Sequence, residues 1–432
     1  CHPKLISFCC LNFPVHYREC GLCYTEFNMI STFDESIKGG GTMGLSPEEL
    51  KEKMLFAAEE LRASDIHIEP TAETLRIRFR IDGVLTLWNE SDRAMYEMFM
   101  THLKVASGLD VGYSAAPLEG RFQWTSRRMG TDGRERALNV RSSFFPTVYG
   151  EAVVLRLLNR SDILIPLDQL GLESRELAIM DNLMSRSYGL LLVTGPSGAG
   201  KTSTLYAILS MLARPERNIM TLEDPVEYYL EGIRQSEINP ARGFSYADGI
   251  RGVLRQDADV FMVGEIRDRD SAENTIRASL AGRLVFSTLH ASSAIGAVAR
   301  LLDMGVEKDL IGYALSGVIN QRLVRKTCDS CAAPYEPREN VLQMIDVAPG
   351  TQKFRRGAGC AACHETGFLG RIGVFEVLDI SDGLRRMIRA HASMEEMLVQ
   401  ARGDGFRTLY DNGRAKVLAG VTTAEEMLRT IL

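Results

Sequence analysis

The sequence predicts an α/β fold in two domains with a metal-binding insertion, and three observations carry that expectation. The apolar run Leu190 to Val193 leads into Gly195-Pro196-Ser197-Gly198-Ala199-Gly200-Lys201-Thr202. The helical spacing of Leu205, Ile208, Leu209 and Leu212 follows, giving the strand, glycine loop and helix of an open parallel sheet. Ahead of it, Leu75 to Ile81 alternates strictly behind an amphipathic helix, the pattern of a smaller α+β domain. Behind it, Cys328, Cys331, Cys360 and Cys363 form two C-x-x-C pairs.

A chain of 432 residues exceeds the size at which one core keeps growing, so more than one domain is required. Hydrophobic residues make up 45% and charged residues 25%, which excludes fibrous and largely disordered classes. A formal charge of -6 disfavours nucleic acid as a partner. No apolar run is long enough to span a bilayer as a helix, so any membrane contact is expected to be peripheral.

Residues 1 to 44 read as a poorly constrained leader, with the flexible run Gly39-Gly40-Gly41 and no secretory pattern; the fold proper is expected from Leu45. Ser46 and Glu49 form a capping box with Pro47 at the first helical position, and a helix should run to about Ala63. Asp65 to Glu69 and Leu75 to Ile81 read as strands. In the second, Leu75, Ile77, Phe79 and Ile81 share one face, so Arg76, Arg78 and Arg80 share the other. That face is either a solvated surface or a phosphate sensor. Asp82-Gly83 marks a turn. A helix from Asp92 to Ser107 and strands over Arg136 to Arg141 and Glu151 to Leu157, which carry Arg141 and Arg156, complete a domain over 45–160. Residues 161–172, with Pro166 and Gly171, read as a linker to a second domain over 173–432.

The Gly195 to Lys201 loop is a complete phosphate-binding motif. Its glycines let backbone N–H groups converge on phosphate oxygens, the helix N-terminus adds positive potential, Lys201 reaches the terminal phosphates, and Thr202, followed by Ser203, offers a hydroxyl to Mg²⁺. The run Asp259 to Val263 ends in Gly264-Glu265, where a carboxylate can orient or deprotonate an attacking water. Ile219 to Leu222 ends in Glu223-Asp224-Pro225, placing a second acid at a strand's carboxyl end; Asp224 can equally be a turn former. Leu284 to Thr288 leads to Leu289-His290, a histidine at the same edge that is either a cap or a nucleotide contact.

The four cysteines at 328, 331, 360 and 363, inside a segment over 326–366, present two knuckles suited to a closed, tetrahedral zinc site and to a reducing, cytoplasmic compartment. A redox use of the pairs is the alternative. Helices are expected over 380–432.

From about residue 45 to the end these segments resemble the assembly ATPases of type II secretion and type IV pili, within the secretion ATPase superfamily. The resemblance rests on Ser64 to Pro70, Arg76 to Gly83, Thr147 to Glu151 with Leu155-Arg156-Leu157, the glycine loop, Leu222 to Glu227, the run through Glu265-Ile266-Arg267-Asp268, and Ser287 to His290. Gln321-Arg322-Leu323-Val324-Arg325 and Gly370-Arg371-Ile372-Gly373 complete it. Ala258, Arg283 and Ala291 depart from the family's usual residues at those positions.

The resemblance implies a RecA-like P-loop ATPase domain behind a PAS-like α+β domain, ATP with Mg²⁺, one Zn²⁺, and a homohexameric ring. It implies that Arg76, Arg78, Arg80, Arg141 and Arg156 meet the phosphates between the two domains. The partners it implies are an inner-membrane platform protein and a membrane-anchoring component, with the ATPase cytoplasmic and peripheral to the inner membrane; family members commonly carry a further anchoring domain, for which residues 1–44 are too few. The four-cysteine insertion favours assembly over pilus retraction. A RecA-like nucleic-acid motor and a regulatory nucleotide-binding module are the competing functions.

Overall fold

The computed structural model describes residues 44–129, 135–158 and 165–431. The expected leader lies outside them save for Gly44. Ser46 caps helix α1 (Pro47–Glu60): its hydroxyl accepts from the Glu49 N–H at 3.3 Å, and its own N–H donates to the Glu49 carboxylate at 2.8 Å. The helix ends at Glu60, short of the expected Ala63, because Arg62 turns into the left-handed region at φ 55° and Ala63 already opens a strand.

The first unit continues through β1 (Ala63–Pro70), β2 (Thr74–Ile81), β3 (Val84–Asp92), α2 (Tyr96–Ala106), β4 (Leu118–Met129), β5 (Glu135–Thr147) and β6 (Gly150–Leu158). These strands form one antiparallel sheet in the order β3-β2-β1-β6-β5-β4. Alternation sends Ile66, Ile68, Ile77 and Phe79 into a core shared with α1 and α2, where Leu50, Met54 and Phe99 meet them. Each such side chain contributes about 2 kcal/mol by leaving water. Strand β4 was not expected. Its inward positions include Gly120 and Ser126, which mask the apolar alternation, and a Cβ at Gly120 would lie 2.6 Å from the Ser107 carbonyl oxygen.

The second unit runs through α3 (Ser174–Met184), β7 (Gly189–Thr194), α4 (Lys201–Leu212), β8 (Ile219–Glu223), β9 (Arg234–Glu237), α5 (Tyr246–Val253) and β10 (Val260–Val263). It goes on through α6 (Arg269–Leu280), β11 (Leu284–Leu289), α7 (Ala294–Asp303), α8 (Lys308–Ala314) and β12 (Leu315–Thr327). After β13 (Ala332–Tyr335), α9 (Glu339–Met344) and β14 (Phe354–Gly357), strand β15 (Phe368–Asp379) returns to the sheet. Helices α10 (Asp382–Ala390), α11 (Met394–Gly403), α12 (Leu409–Leu418) and α13 (Ala424–Ile431) follow.

The main sheet has the order β15-β12-β7-β11-β10-β8-β9, parallel except for β15. Its central strands are buried throughout because both faces are covered. Leu190 and Leu192 enter one core with Phe261 and Val285, while Leu191 and Val193 enter the opposite one with Met262 and Phe286. An uninterrupted apolar run is what such a strand requires. The expected linker is packed where it is described. Leu167 and Leu172 are buried in the same core as α4, and the Gly373 N–H bonds to the Leu170 carbonyl at 2.9 Å.

The β13–β14 ribbon and α9 sit against α12 and α13 through Leu342, Phe354, Val417 and Met427. Among the described residues no helix is long and apolar enough to cross a membrane.

Candidate functional site

All parallel strands of the main sheet point the same way, so their carboxyl ends form one edge, where open α/β sheets bind ligands. At that edge β7 passes into the Gly195–Gly200 loop and α4. Gly195, Gly198 and Gly200 have φ of 142°, 74° and 86°, values that a side chain resists. At Gly195 space forbids one as well, since a Cβ would come 2.6 Å from the Gln321 carbonyl oxygen.

Gln321, on β12, fixes the loop from beside it. Its side-chain amide donates to the Ala199 carbonyl at 2.6 Å, and its side-chain oxygen accepts from the Thr204 hydroxyl at 2.8 Å. Lys201 donates to the Gly195 and Pro196 carbonyls, each at 3.0 Å, so its ammonium lies across the loop. Burial lowers its pKa from the ordinary lysine value, the Arg322 charge lowers it further, and the Glu265 carboxylate opposes both. Thr202 is exposed in the first turn of α4.

Strand β10 delivers Glu265 just past its end. The carboxylate is part-exposed and accepts from Arg267, whose guanidinium also pairs with Asp224 at 3.2 Å. The Tyr246 phenol is pushed far up, by burial first and then by the Glu265 and Asp224 charges. Glu223 differs from the open carboxylate its position suggests. It is buried and accepts from Tyr206 at 2.5 Å, Thr221 at 2.6 Å and Gln235 at 3.0 Å, so it ties β8 to the loop helix α4. That burial is invisible in sequence because Tyr206 and Gln235 are remote along the chain.

The next strand, β11, is locked to the Glu265 loop. Ser287 donates to the Val263 carbonyl and Thr288 to the Gly264 carbonyl, both at 2.8 Å, while the Ile266 N–H donates to the Thr288 carbonyl at 2.9 Å. His290 follows, exposed at the same edge.

Arg76, Arg78 and Arg80 lie on one face of β2, opposite buried Leu75, Ile77 and Phe79, as the alternation requires. Within this chain they pair inside their own sheet. Arg76 meets Glu90 at 2.9 Å, Arg78 grips Glu69 at 2.6 and 2.9 Å, and Arg80 approaches Asp65 at 3.9 Å. Arg156 also takes Asp65, at 2.9 Å. Only Arg141 of the five pairs with the second unit, meeting Glu227 at 3.1 Å.

The four cysteine sulfurs at 328, 331, 360 and 363 all lie within 4.8 Å of one another. A tetrahedral zinc with Zn–S bonds of about 2.3 Å sets its sulfurs about 3.8 Å apart. The Cys328–Cys360, Cys331–Cys363 and Cys360–Cys363 separations are 3.9, 3.8 and 3.7 Å. Backbone N–H groups of Cys360 and Gly367 point at the Cys363 sulfur from 3.2 and 3.3 Å, the donors that orient a metal-ligating sulfur. The residues therefore fit the ion.

Three residues of this edge carry no expectation from spacing: Asn320, Arg322 and Glu376. Only the resemblance pointed near them, through the Gln321 to Arg325 segment.

Comparison with known proteins matches the family described as Type II/IV secretion system protein to residues 45–429. Type II secretion system protein E of Pseudomonas aeruginosa is 45% identical over 368 residues, covering 85% of this chain and 72% of that protein. The protein of the same name from Dickeya dadantii is 45% identical over 376 residues, 87% of this chain and 74% of its own length. Type II secretion system ATPase E of Vibrio cholerae is 41% identical over 377 residues, 87% and 73% of the two chains. Among solved structures, the ATPase DotB of Yersinia pseudotuberculosis superposes with a TM-score of 0.66 at 20% identity, covering 88% of this chain and 93% of that one. The pilus retraction motor PilT with bound ADP does so with a TM-score of 0.57 at 24% identity, covering 88% and 96%. The solved structures establish the shared α/β ATPase fold, and the sequence match, which runs from the first helix into the last, establishes that this chain belongs to the type II/IV secretion system protein family of ATP-hydrolysing secretion ATPases.

Proposed function

We propose that the chain hydrolyses Mg·ATP in a homohexameric ring and that the resulting domain movement powers type II protein secretion from the cytoplasmic side of the inner membrane. The observation that carries this reading is that Lys201, following β7, and Glu265, following β10, stand at the same carboxyl edge of the main sheet with only β11 between their strands. The names of relatives 45% identical to the chain support type II secretion as the process. An inner-membrane platform protein and a membrane-anchoring component are the partners this function requires, with membrane contact peripheral.

In this reading the loop amides and Lys201 hold the terminal phosphates. Thr202 is the hydroxyl that would hold Mg²⁺, which when bound neutralises charge on the β and γ oxygens. Glu265 orients the attacking water and accepts its proton. Arg267 holds that carboxylate in place from the side. Glu223 keeps the position of β8 against α4 rather than meeting water, since its oxygens already accept three hydrogen bonds. His290 stands exposed beside the Glu265 loop, where a terminal phosphate can reach it.

The first unit, one antiparallel sheet with two helices on a face, is read as the PAS-like domain, and Arg141 is its link to the acidic loop. Arg76, Arg78, Arg80 and Arg156 exchange their carboxylates for phosphate when the domains close. The four cysteines would hold one structural zinc, which when bound would tie together the ends of the 328–363 excursion.

The test is Mg·ATPase activity of the purified oligomer. K201A is expected to lose nucleotide binding, and E265Q to keep binding and lose turnover. A wild-type oligomer that neither binds nor splits ATP refutes the proposal.

A further inference from the structure

Arg322 follows Asn320 on β12 by one pleat, so its side chain leaves the face opposite Gln321. Asn320 is level with Thr194, the last residue of β7, which puts Arg322 just beyond the strand end and beside the phosphate loop. One guanidinium nitrogen lies 3.5 Å from where a Cβ on Gly195 would sit. Lys201 donates to the Gly195 carbonyl at 3.0 Å, so the two cations flank the same glycine.

The surroundings of this charge are unusual. The guanidinium donates to the Asn320 side-chain oxygen at 3.1 Å, the Gln321 carbonyl at 3.0 Å and the Ser292 carbonyl at 3.0 Å, all of them neutral acceptors. The carboxylate that supports its charge from a distance is Glu376, whose own oxygens accept from the Ala294 N–H at 2.5 Å, the Leu409 N–H at 2.9 Å and Asn320 at 3.1 Å. Burial lowers the Arg322 pKa from its ordinary value. A half-buried guanidinium is normally matched by a carboxylate or a bound anion, and among the described residues none of the ion pairs includes Arg322.

The bonds to neutral oxygens fix the fork rather than neutralise it. Ser292 lies two residues beyond His290, so Arg322 bridges the loop that carries His290 and the first glycine of the phosphate loop. An anion entering between those loops meets Lys201 on one side and Arg322 on the other.

We infer that Arg322 is a nucleotide-binding residue, a second cation that takes the terminal phosphate of ATP from the strand beside the loop. The inference rests on the proposed ATP binding and deepens it. The fork suits two oxygens of one phosphoryl group, whereas Lys201 acts as a point charge. ADP lacks that group, so Arg322 serves ATP more than ADP.

The experiment compares Mg·ATP and Mg·ADP affinity of the wild type, R322Q and R322K by equilibrium titration, with K201A as the control for the loop itself. R322Q is expected to bind ATP at least about tenfold more weakly, a loss of about 1.4 kcal/mol, and ADP within about threefold of wild type. R322K, which keeps the charge and loses the fork, should recover part of the ATP preference, and it carries the test if R322Q fails to fold. Equal weakening of ATP and ADP in R322K and R322Q, or ATP affinity unchanged in either, overturns the inference and leaves Arg322 a tether for Ser292. A wild type that binds neither nucleotide sinks the ATPase proposal instead.

Discussion

Arg141 of the antiparallel sheet and Glu227 of the acidic loop meet at 3.1 Å, joining the two units of the chain through one part-buried ion pair. Neither residue has a carboxylate or guanidinium pair elsewhere among the described ion pairs, so this contact decides where each points. Part-buried pairs of this kind contribute about 1 kcal/mol. We expect R141A and E227A each to increase proteolytic cleavage between the units, and the charge-reversed double variant to recover most of the resistance. A double-mutant coupling of zero in a thermal-melt cycle contradicts the contact's role.

Gln321 is the support of the phosphate loop from the neighbouring strand, with both ends of its amide engaged. Replacing it by alanine strands the Ala199 carbonyl and the Thr204 hydroxyl in a buried setting, at a cost of about 1–3 kcal/mol. Q321A is therefore expected to lower the thermal midpoint and the ATP affinity together. An unchanged affinity in a destabilised protein separates the loop's shape from Gln321.

How much of this was legible in the sequence depends on whether the determinant was local. The loop glycines, the outward arginines of β2, the buried run of β7 and the cysteine knuckles all follow from spacing, because turn geometry and strand period act over a few residues. Strand β4 escaped because Gly120 stands where a larger residue would meet Ser107. The burial of Glu223 and the positions of Asn320, Arg322 and Glu376 escaped for a different reason. Their non-local partners include Gln235 and Tyr206 for Glu223, Ser292 for Arg322 and Ala294 for Glu376, which lie 12 to 82 residues away along the chain, and only the folded sheet edge brings them together. The pairing of Arg156 with Asp65 is likewise a product of strand register.

Glu426 provides a pH signature. Burial alone would raise its pKa, but bonds from Arg429 at 2.7 and 3.0 Å and from Arg325 at 2.8 and 3.1 Å outweigh it and hold the carboxyl below the ordinary glutamate value of 4.5. A depressed carboxyl means the unfolded chain binds the proton more readily, so the pair's stabilisation is present above 4.5 and is lost as pH falls through the folded value. E426Q should destabilise α13 by about 3 kcal/mol near neutral pH and by progressively less in acid. Hydrogen exchange of that helix measures it, and a pH-independent difference contradicts the account.

Metal analysis of protein purified without chelator should give about one zinc per chain. Strong chelation should expose the β13–β14 ribbon to protease while leaving the β7 to β11 core protected, since the ribbon's own apolar contacts are few beside those of the sheet. Zinc-free protein with an intact ribbon contradicts a structural metal there.

The central claim is that Glu265 acts on water at a phosphate held by Lys201. Single-turnover hydrolysis of Mg·ATP by E265Q oligomers tests it most directly. The account predicts nucleotide binding close to wild type with turnover reduced by at least about a hundredfold. Turnover within a few-fold of wild type, with binding intact, would place the catalytic base elsewhere.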